Sequence, residues 1–92
     1  MMGANIVQRT TTGAVTTADV YLRAVILTPG SDAATVVVRA GGASGTTILT
    51  LSATSSTAGS SVPSGDLGGV FCKGGIHLTF TGTSPAASVV FQ

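Results

Sequence analysis

The sequence predicts an all-β fold, an antiparallel β-sandwich of jelly-roll-like type with about eight strands. Three observations predict it. β-Branched and apolar residues come in short runs, Gly, Ser, Pro or Asp separates these runs, and no segment has the apolar spacing of a helix of useful length. A chain of 92 residues has the size of one domain. We therefore expect a single sandwich with one core.

Eight or nine segments qualify as strands, and the weakest is 60–62. In chain order they are 5–9, 13–17, 20–28, 35–40, 46–53, 60–62, 70–73, 76–81 and 88–91. Pro29-Gly30 predicts a reversal after the third segment, because proline fixes φ and glycine accepts positive φ. The long connection 53–69 contains Pro63, which cannot donate to a sheet ladder and therefore favours an edge strand.

A two-residue hairpin is predicted where Gly74-Gly75 separates two strand-like runs, because such turns need positive φ. In that register Cys72 lies directly opposite His77. Alternation along these two strands assigns four apolar residues to the core: Phe71, Ile76, Leu78 and Phe80. Alternation elsewhere assigns three more pairs to the core: Val36 with Val38, Leu49 with Leu51, and Val89 with Phe91.

The segment 20–28 is apolar on both faces, and strict alternation divides its residues between them. One face carries Val20, Leu22, Ala24 and Ile26. The other carries Tyr21, Arg23, Val25 and Leu27. A strand that is apolar on both faces is usually buried on both. We expect the second face to form a subunit interface or to lie under a long loop.

Charge is scarce, which excludes several classes of function. The chain has four Lys and Arg residues, three Asp, no Glu and a net charge of +1. Nucleic-acid binding needs clustered cations and aromatic platforms, so we expect no nucleic-acid partner. No apolar run approaches the roughly 20 residues that span a bilayer, and the first residues lack the pattern of a secretory signal. We expect no membrane partner and no export.

The inventory of reactive side chains predicts that the chain is not an enzyme. It offers one His, one Cys and three separated Asp residues, whereas catalysis needs convergent ionisable groups. The sharpest candidate is a thiolate–imidazolium pair between Cys72 and His77. Against it, a free Cys is usually a small buried hydrophobe. Zinc sites use three or four ligands, so we expect no metal, and no motif indicates a cofactor.

The order of the elements resembles small β-sandwich proteins of tailed bacteriophage particles, of the capsid decoration, cement or head-fibre type. The resemblance covers 13–92, as one domain, and leaves 1–12 as an N-terminal arm that could extend onto a neighbouring subunit. Its motifs are 13–15 leading into 20–27 with Arg23, 34–39 ending in Gly41-Gly42, 45–51, 69–83 and 88–91.

This resemblance implies a non-enzymatic virion protein without a cofactor. It would be made in the host cytoplasm and would bind the major capsid protein on the capsid surface, with a homotrimer favoured. The alternative is a phage tail or fibre module, or an adhesin-like β-sandwich that binds carbohydrate. Sugar platforms usually expose Trp or Tyr. The chain has no Trp, and its one Tyr is Tyr21.

Overall fold

The computed structural model describes residues 5–30, 33–53 and 61–92. Within these ranges the chain forms nine strands. They are β1 (Asn5–Arg9), β2 (Gly13–Thr16), β3 (Val20–Thr28), β4 (Ala34–Ala40), β5 (Thr46–Ala53), β6 (Val62–Pro63), β7 (Val70–Cys72), β8 (Ile76–Thr81) and β9 (Ala86–Phe91). The strands predicted from the runs of β-branched residues are present, with ends that differ by at most two residues.

The strands form two antiparallel sheets that pack as a sandwich. The first sheet has the order β1-β9-β3-β6, and β7 also pairs with β3. The second sheet has the order β2-β8-β4-β5. Each sheet therefore joins strands that are distant in the sequence, and among the nine described strands β4–β5 is the one pair of consecutive strands. The predicted antiparallel sandwich is confirmed, and its finer description as a jelly roll stays a prediction.

The core lies between the two sheets and receives alternate side chains from both. Its fully buried members with the largest side chains are Leu22, Leu27, Ile76, Leu78, Val25, Val36, Val38, Val89 and Cys72. Burial of one aliphatic side chain contributes about 1.5–3 kcal/mol. Five of the predicted core residues, Val36, Val38, Ile76, Leu78 and Val89, are fully buried, and Phe91 is 8% exposed. Leu49, Leu51 and Phe80 are partly buried against this core.

A β-bulge in β3 corrects the predicted facing of that strand. The register against β9 shifts between Leu22 and Ala24, and such an extra residue reverses which side chains point inward beyond it. Val25 and Leu27 are therefore fully buried in the core, and Ile26 points outward. Strict alternation predicted that Val25 and Leu27 share an outward face with Tyr21, and that prediction is wrong.

The edge of the first sheet beside the bulge is completed by a loop. The Val25 N–H donates to Ser64 Oγ at 2.9 Å, and the Ser64 N–H donates to the Val25 carbonyl at 2.7 Å. The Leu67 N–H donates to the Arg23 carbonyl at 2.8 Å. These bonds satisfy backbone groups of β3 between its pairings with β6 and β7, where an unpaired buried group would be costly.

The predicted hairpin at Gly74-Gly75 is wrong, because the chain passes there from one sheet to the other. β7 pairs with β3 in the first sheet, whereas β8 pairs with β2 and β4 in the second. The turn is closed by the Gly75 N–H, which donates to the Cys72 carbonyl at 3.3 Å. Phe71 consequently points away from the core and is 50% exposed, contrary to the prediction.

Both ends of the first sheet's strand order are short strands. β1 lies within the segment expected to form an arm, and all five of its residues pair with β9. At the other end, Pro63 lies in the two-residue strand β6, which confirms its predicted edge position. The weak strand predicted at 60–62 corresponds to β6, and residue 60 lies outside the described residues.

Candidate functional site

The outer face of the first sheet carries an apolar patch beside the polar residues Gln8, Thr28 and Ser88, and we call this patch the aromatic face. Its members are Ile6, Tyr21, Ala24, Ile26, Pro63, Phe71 and Val90. Their register places them side by side: Ile6 and Ala24 both pair with Val90, Ile26 pairs with Pro63, and Tyr21 pairs with Phe71. They lie on the side of the sheet opposite the buried residues Leu22, Val25, Leu27 and Val89, so these side chains point outward.

The exposed large hydrophobic side chains of the described residues all lie on this face. Ile6 is 71% exposed, Tyr21 52%, Phe71 50% and Ile26 38%. Single exposed hydrophobic residues are common on protein surfaces, but a group of them on one face is typical of a binding surface. Their concentration on one of the two outer faces makes this face the candidate functional site.

An aromatic pair lies at one end of the aromatic face. The ring centroids of Tyr21 and Phe71 are 5.2 Å apart with an interplanar angle of 48°, within the range of favourable tilted aromatic pairs. On its other side Tyr21 exchanges two backbone hydrogen bonds with Gln92, of 2.8 and 2.9 Å. One row therefore contains Phe71 of β7, Tyr21 of β3 and Gln92, which directly follows β9.

An open depression of about 370 Å³ adjoins this row and is lined by three polar residues, Arg23, Asp66 and Gln92, and by Ala24 and Val90 of the aromatic face. Arg23 Nη1 donates to Gln92 Oε1 at 3.3 Å, and Arg23 Nη2 lies 3.7 Å from Asp66 Oδ1. The Arg23 and Asp66 side chains are 40% and 72% exposed. Solvent therefore screens this ion pair, which contributes little to stability and leaves both groups able to bind a ligand.

The loop that carries Asp66 is held in place by its own backbone. The Gly68 N–H donates to Asp66 Oδ1 at 2.9 Å. Gly68 and Gly69 have φ values of 74° and 90°, which residues other than glycine rarely adopt. These two glycines return the chain from Asp66 to β7, and the carboxylate lies beside Arg23 in the depression.

The outer face of the second sheet has a different chemistry. Its members are Thr35, Val37, Arg39, Thr47, Thr50, Ser52, His77, Thr79 and Thr81. Arg39 Nη1 donates to Thr47 Oγ1 at 3.0 Å, and the hydroxyls of Thr35 and Ser52 are 3.5 Å apart. Hydroxyl groups that bond to neighbouring strands give a solvated surface. Among the described residues this face has no exposed large hydrophobic side chain, so the aromatic face stands out as the candidate binding surface.

The predicted pair of Cys72 and His77 is not brought together. Cys72 pairs with Val20 and points into the core, whereas His77 pairs with Ala14 and Arg39 in the other sheet. Burial raises the pKa of the Cys72 thiol, and a hydrogen bond with the Leu22 backbone opposes this effect. A neutral thiol in the core is a poor nucleophile. Cys72 is therefore a core residue in this fold.

The other predicted site residues separate into two groups. Tyr21 belongs to the aromatic face and Arg23 lines the depression, whereas Val25 and Leu27 belong to the core. Sequence reasoning missed Phe71 and Ile26. Strict alternation assigned both of them inward. The bulge in β3 turns Ile26 outward, and the passage of the chain from the first sheet to the second after β7 leaves Phe71 pointing outward.

In the described ranges, no group of three or more His, Cys, Asp or Glu side chains is placed to hold a metal ion. The same part of the chain contains no helix with the length and apolar character of a membrane span. No protein-family model, curated protein or solved structure matches the chain.

Proposed function

We propose that this chain is a non-enzymatic structural protein of a tailed-bacteriophage virion, which binds the capsid surface and decorates or cements the head. The observation that supports the proposal is the aromatic face, where four large hydrophobic side chains are exposed together. Such a patch favours binding to another protein surface. The resemblance of the strand pattern to decoration and cement proteins supplies the identity of that surface.

The aromatic face has the composition of an interface centre. Tyr is enriched among the residues that dominate binding energy, and aromatic residues as a group are enriched in interfaces. Tyr21 and Phe71 hold each other at 5.2 Å, so little side-chain freedom would be lost on binding. We therefore assign the strongest contacts to this pair and weaker contacts to Ile6 and Ile26.

The partner in this proposal is the major capsid protein, and the location is the outer surface of the capsid. The low charge of the chain supports contacts that depend on area and not on ion pairs, because only 8% of its residues are charged. Such contacts have a weak dependence on salt. The homotrimer implied by the resemblance is part of the same proposal.

Co-sedimentation tests the proposal, with empty capsids assembled from the major capsid protein of the source virus. We expect Phe71→Ser to raise the Kd about tenfold or more, because losing a strong aromatic contact costs about 1.4 kcal/mol or more. Val37→Ser is the matched control, since Val37 lies on the outer face of the second sheet and its loss should leave the Kd unchanged. Wild-type protein that remains in the supernatant would overturn the proposal.

The depression beside Arg23 favours a second candidate function, a carbohydrate-binding adhesin or tail-fibre module. Arg23 and Asp66 have opposite charges, so the site as a whole is neutral and suits a neutral polyhydroxylated ligand. The carboxylate and the Gln92 amide supply planar hydrogen-bonding groups, and the neighbouring rings supply an apolar platform. The site thus combines the two features that sugar binding requires.

A glycan array distinguishes the two candidates when it is run with the wild-type protein and with Asp66→Ala. The carbohydrate candidate predicts a signal that Asp66→Ala abolishes. The capsid candidate predicts no signal on the array, together with capsid binding that Asp66→Ala preserves, because Asp66 is 72% exposed and lies outside the aromatic face.

A further inference from the structure

The two sheets end in strands whose free edges differ in their protection. An open edge can pair with another chain, and proteins usually blunt it with charge, proline, a bulge or short length. In the first sheet, β1 ends in Arg9, and the opposite edge consists of two short strands, β6 with two residues including Pro63 and β7 with three residues. In the second sheet, β2 has four residues, and its pairing with β8 is irregular between Ala14 and Thr16. These three edges carry recognised forms of protection.

The edge formed by β5 carries none of them along most of its length. The strand Thr46–Ala53 has eight residues, TTILTLSA, with no charge, proline or glycine. Among the described strands it pairs with β4 alone. Its register with β4 is regular from Leu49 to Ala53, and the one shift lies before Leu49. On the side of β5 away from β4, the backbone N–H and carbonyl groups therefore form a regular row, and no strand among the described residues bonds to them.

The side chains of β5 also leave core surface uncovered at this edge. Leu49 and Leu51 face inward and pack against the core, yet both are only partly buried. The residues they pair with on β4, Val38 and Val36, are fully buried. The difference arises because β5 has a neighbour on one side only. A further strand beside β5 would complete the burial of both leucines.

The strand is complementary to itself. In an antiparallel pair, residues directly opposite each other point to the same face. A twofold axis through Thr50 therefore places Leu49 of one copy opposite Leu51 of the other on the inner face, and Thr50 opposite Thr50 on the outer face. Apolar pairs and Thr–Thr pairs are both favourable across strands, and no like charges oppose each other.

We propose that two copies of this chain associate through β5, in antiparallel register about Thr50, so that the second sheets of the two copies become one continuous sheet. The occupant of the edge is a second copy because one uncharged sequence satisfies both sides of the contact. A twofold contact of this kind closes after two copies and does not grow into a fibre. The proposal does not depend on the partner of the aromatic face.

An even number of copies follows from this pairing. Two copies are expected if β5 is the one contact between copies. Six are expected if the trimer implied by the resemblance also forms. Light scattering behind a sizing column gives the mass of the purified protein. A monomer or an odd number of copies would overturn the proposal.

Thr50 gives a direct test of the register. Directly opposite Cα atoms in antiparallel strands are roughly 4.5–5.5 Å apart, within the separation of about 4.4–6.8 Å that disulfides accept. Thr50→Cys should therefore form a disulfide-linked dimer on mild oxidation, whereas the native Cys72 is fully buried. Thr81→Cys is the control, since Thr81 is exposed in the same sheet on β8, which is not an edge strand.

Thr50→Lys tests the contact without oxidation. It places two ammonium groups opposite each other at the twofold axis, so the mass should fall to half of the wild-type value. Thr81→Lys adds the same charge to the same face and should keep the wild-type mass. Circular dichroism verifies that both variants fold, as exposed positions allow. An unchanged mass for Thr50→Lys, or equal cross-linking of the two cysteine variants, would overturn the proposed register.

Discussion

The bulge in β3 decides which side chains of that strand stabilise the fold, and a matched pair of alanine variants measures its effect. Leu27 is fully buried and Ile26 is 38% exposed, although the two residues are adjacent and similar in size. Removing a buried leucine loses its transfer free energy and leaves a cavity, at a cost of about 2–5 kcal/mol. Ile26→Ala removes a side chain from the outer face and should cost less than about 1 kcal/mol.

The size of the domain makes this difference large. A chain of 92 residues has a free energy of unfolding of roughly 5–14 kcal/mol. Leu27→Ala therefore removes a substantial share of the total. For a domain of this size 1 kcal/mol corresponds to about 4–8 °C in Tm, so we expect the Tm of Leu27→Ala to fall by at least about 8 °C.

Urea unfolding followed by circular dichroism measures both variants, and an unchanged m-value shows that the midpoints report stability. We expect a clearly lower midpoint for Leu27→Ala and a midpoint near that of the wild type for Ile26→Ala. A strand without the bulge would direct Ile26 inward with Leu22 and would direct Leu27 outward. The reverse order of the two midpoints would therefore refute the bulge.

Three further predictions concern single contacts. Ser64→Ala leaves the Val25 N–H without the acceptor it has at 2.9 Å and should lower the free energy of unfolding by about 1–3 kcal/mol; an unchanged urea midpoint would contradict this bond. Gly75→Ala should be less stable than Gly42→Ala. Both glycines have positive φ, but an added Cβ at Gly75 would lie 1.9 Å from the Thr16 carbonyl oxygen, whereas at Gly42 no atom lies within 4 Å. Equal Tm values for the two variants would contradict this close approach of Gly75 to Thr16. Cys72 should react with iodoacetamide only after unfolding. Burial raises the pKa of the Cys72 thiol, so above the ordinary thiol pKa the folded state keeps a proton that the unfolded chain releases. The free energy of unfolding should therefore fall as pH rises above that value. A Cys72→Ala variant that shows the same fall would contradict this cause.

Much of the fold could be predicted from residue patterns along the chain. Alternation in 35–40 and 76–81 identified Val36, Val38, Ile76 and Leu78 as core residues, because each of these strands keeps a regular register with its partner. Pro63 identified its own edge position, because a residue without an N–H cannot serve a central strand. Local chemistry was sufficient at these points.

The errors arose where the fold departs from regular alternation. The bulge after Leu22 has no glycine or proline to indicate it, so β3 was divided into the wrong faces. Gly74-Gly75 meets the requirements of a hairpin turn, and also those of a turn that crosses between sheets. Which of the two forms depends on the strands that compete to pair with β7 and β8.

The candidate site was less predictable because distant segments build it. Tyr21 and Phe71 are 50 residues apart and meet through the pairing of β3 with β7. The Asp66 loop and the Gln92 end of β9 join the same surface. Tyr21 and Arg23, predicted to belong to a subunit interface, do lie at the surface, but their neighbours follow from strand order, which residue patterns did not specify.

Hydroxyl-radical footprinting of the protein bound to capsids tests the central proposal most directly, because oxidation reports the exposure of Tyr21 and Phe71 themselves. If the aromatic face is the contact, both rings should oxidise readily in the free protein and several-fold more slowly on the capsid, while residues of the second sheet's outer face keep their free rates. Equal oxidation of both rings in the free and bound protein would contradict the proposal that this face binds the capsid.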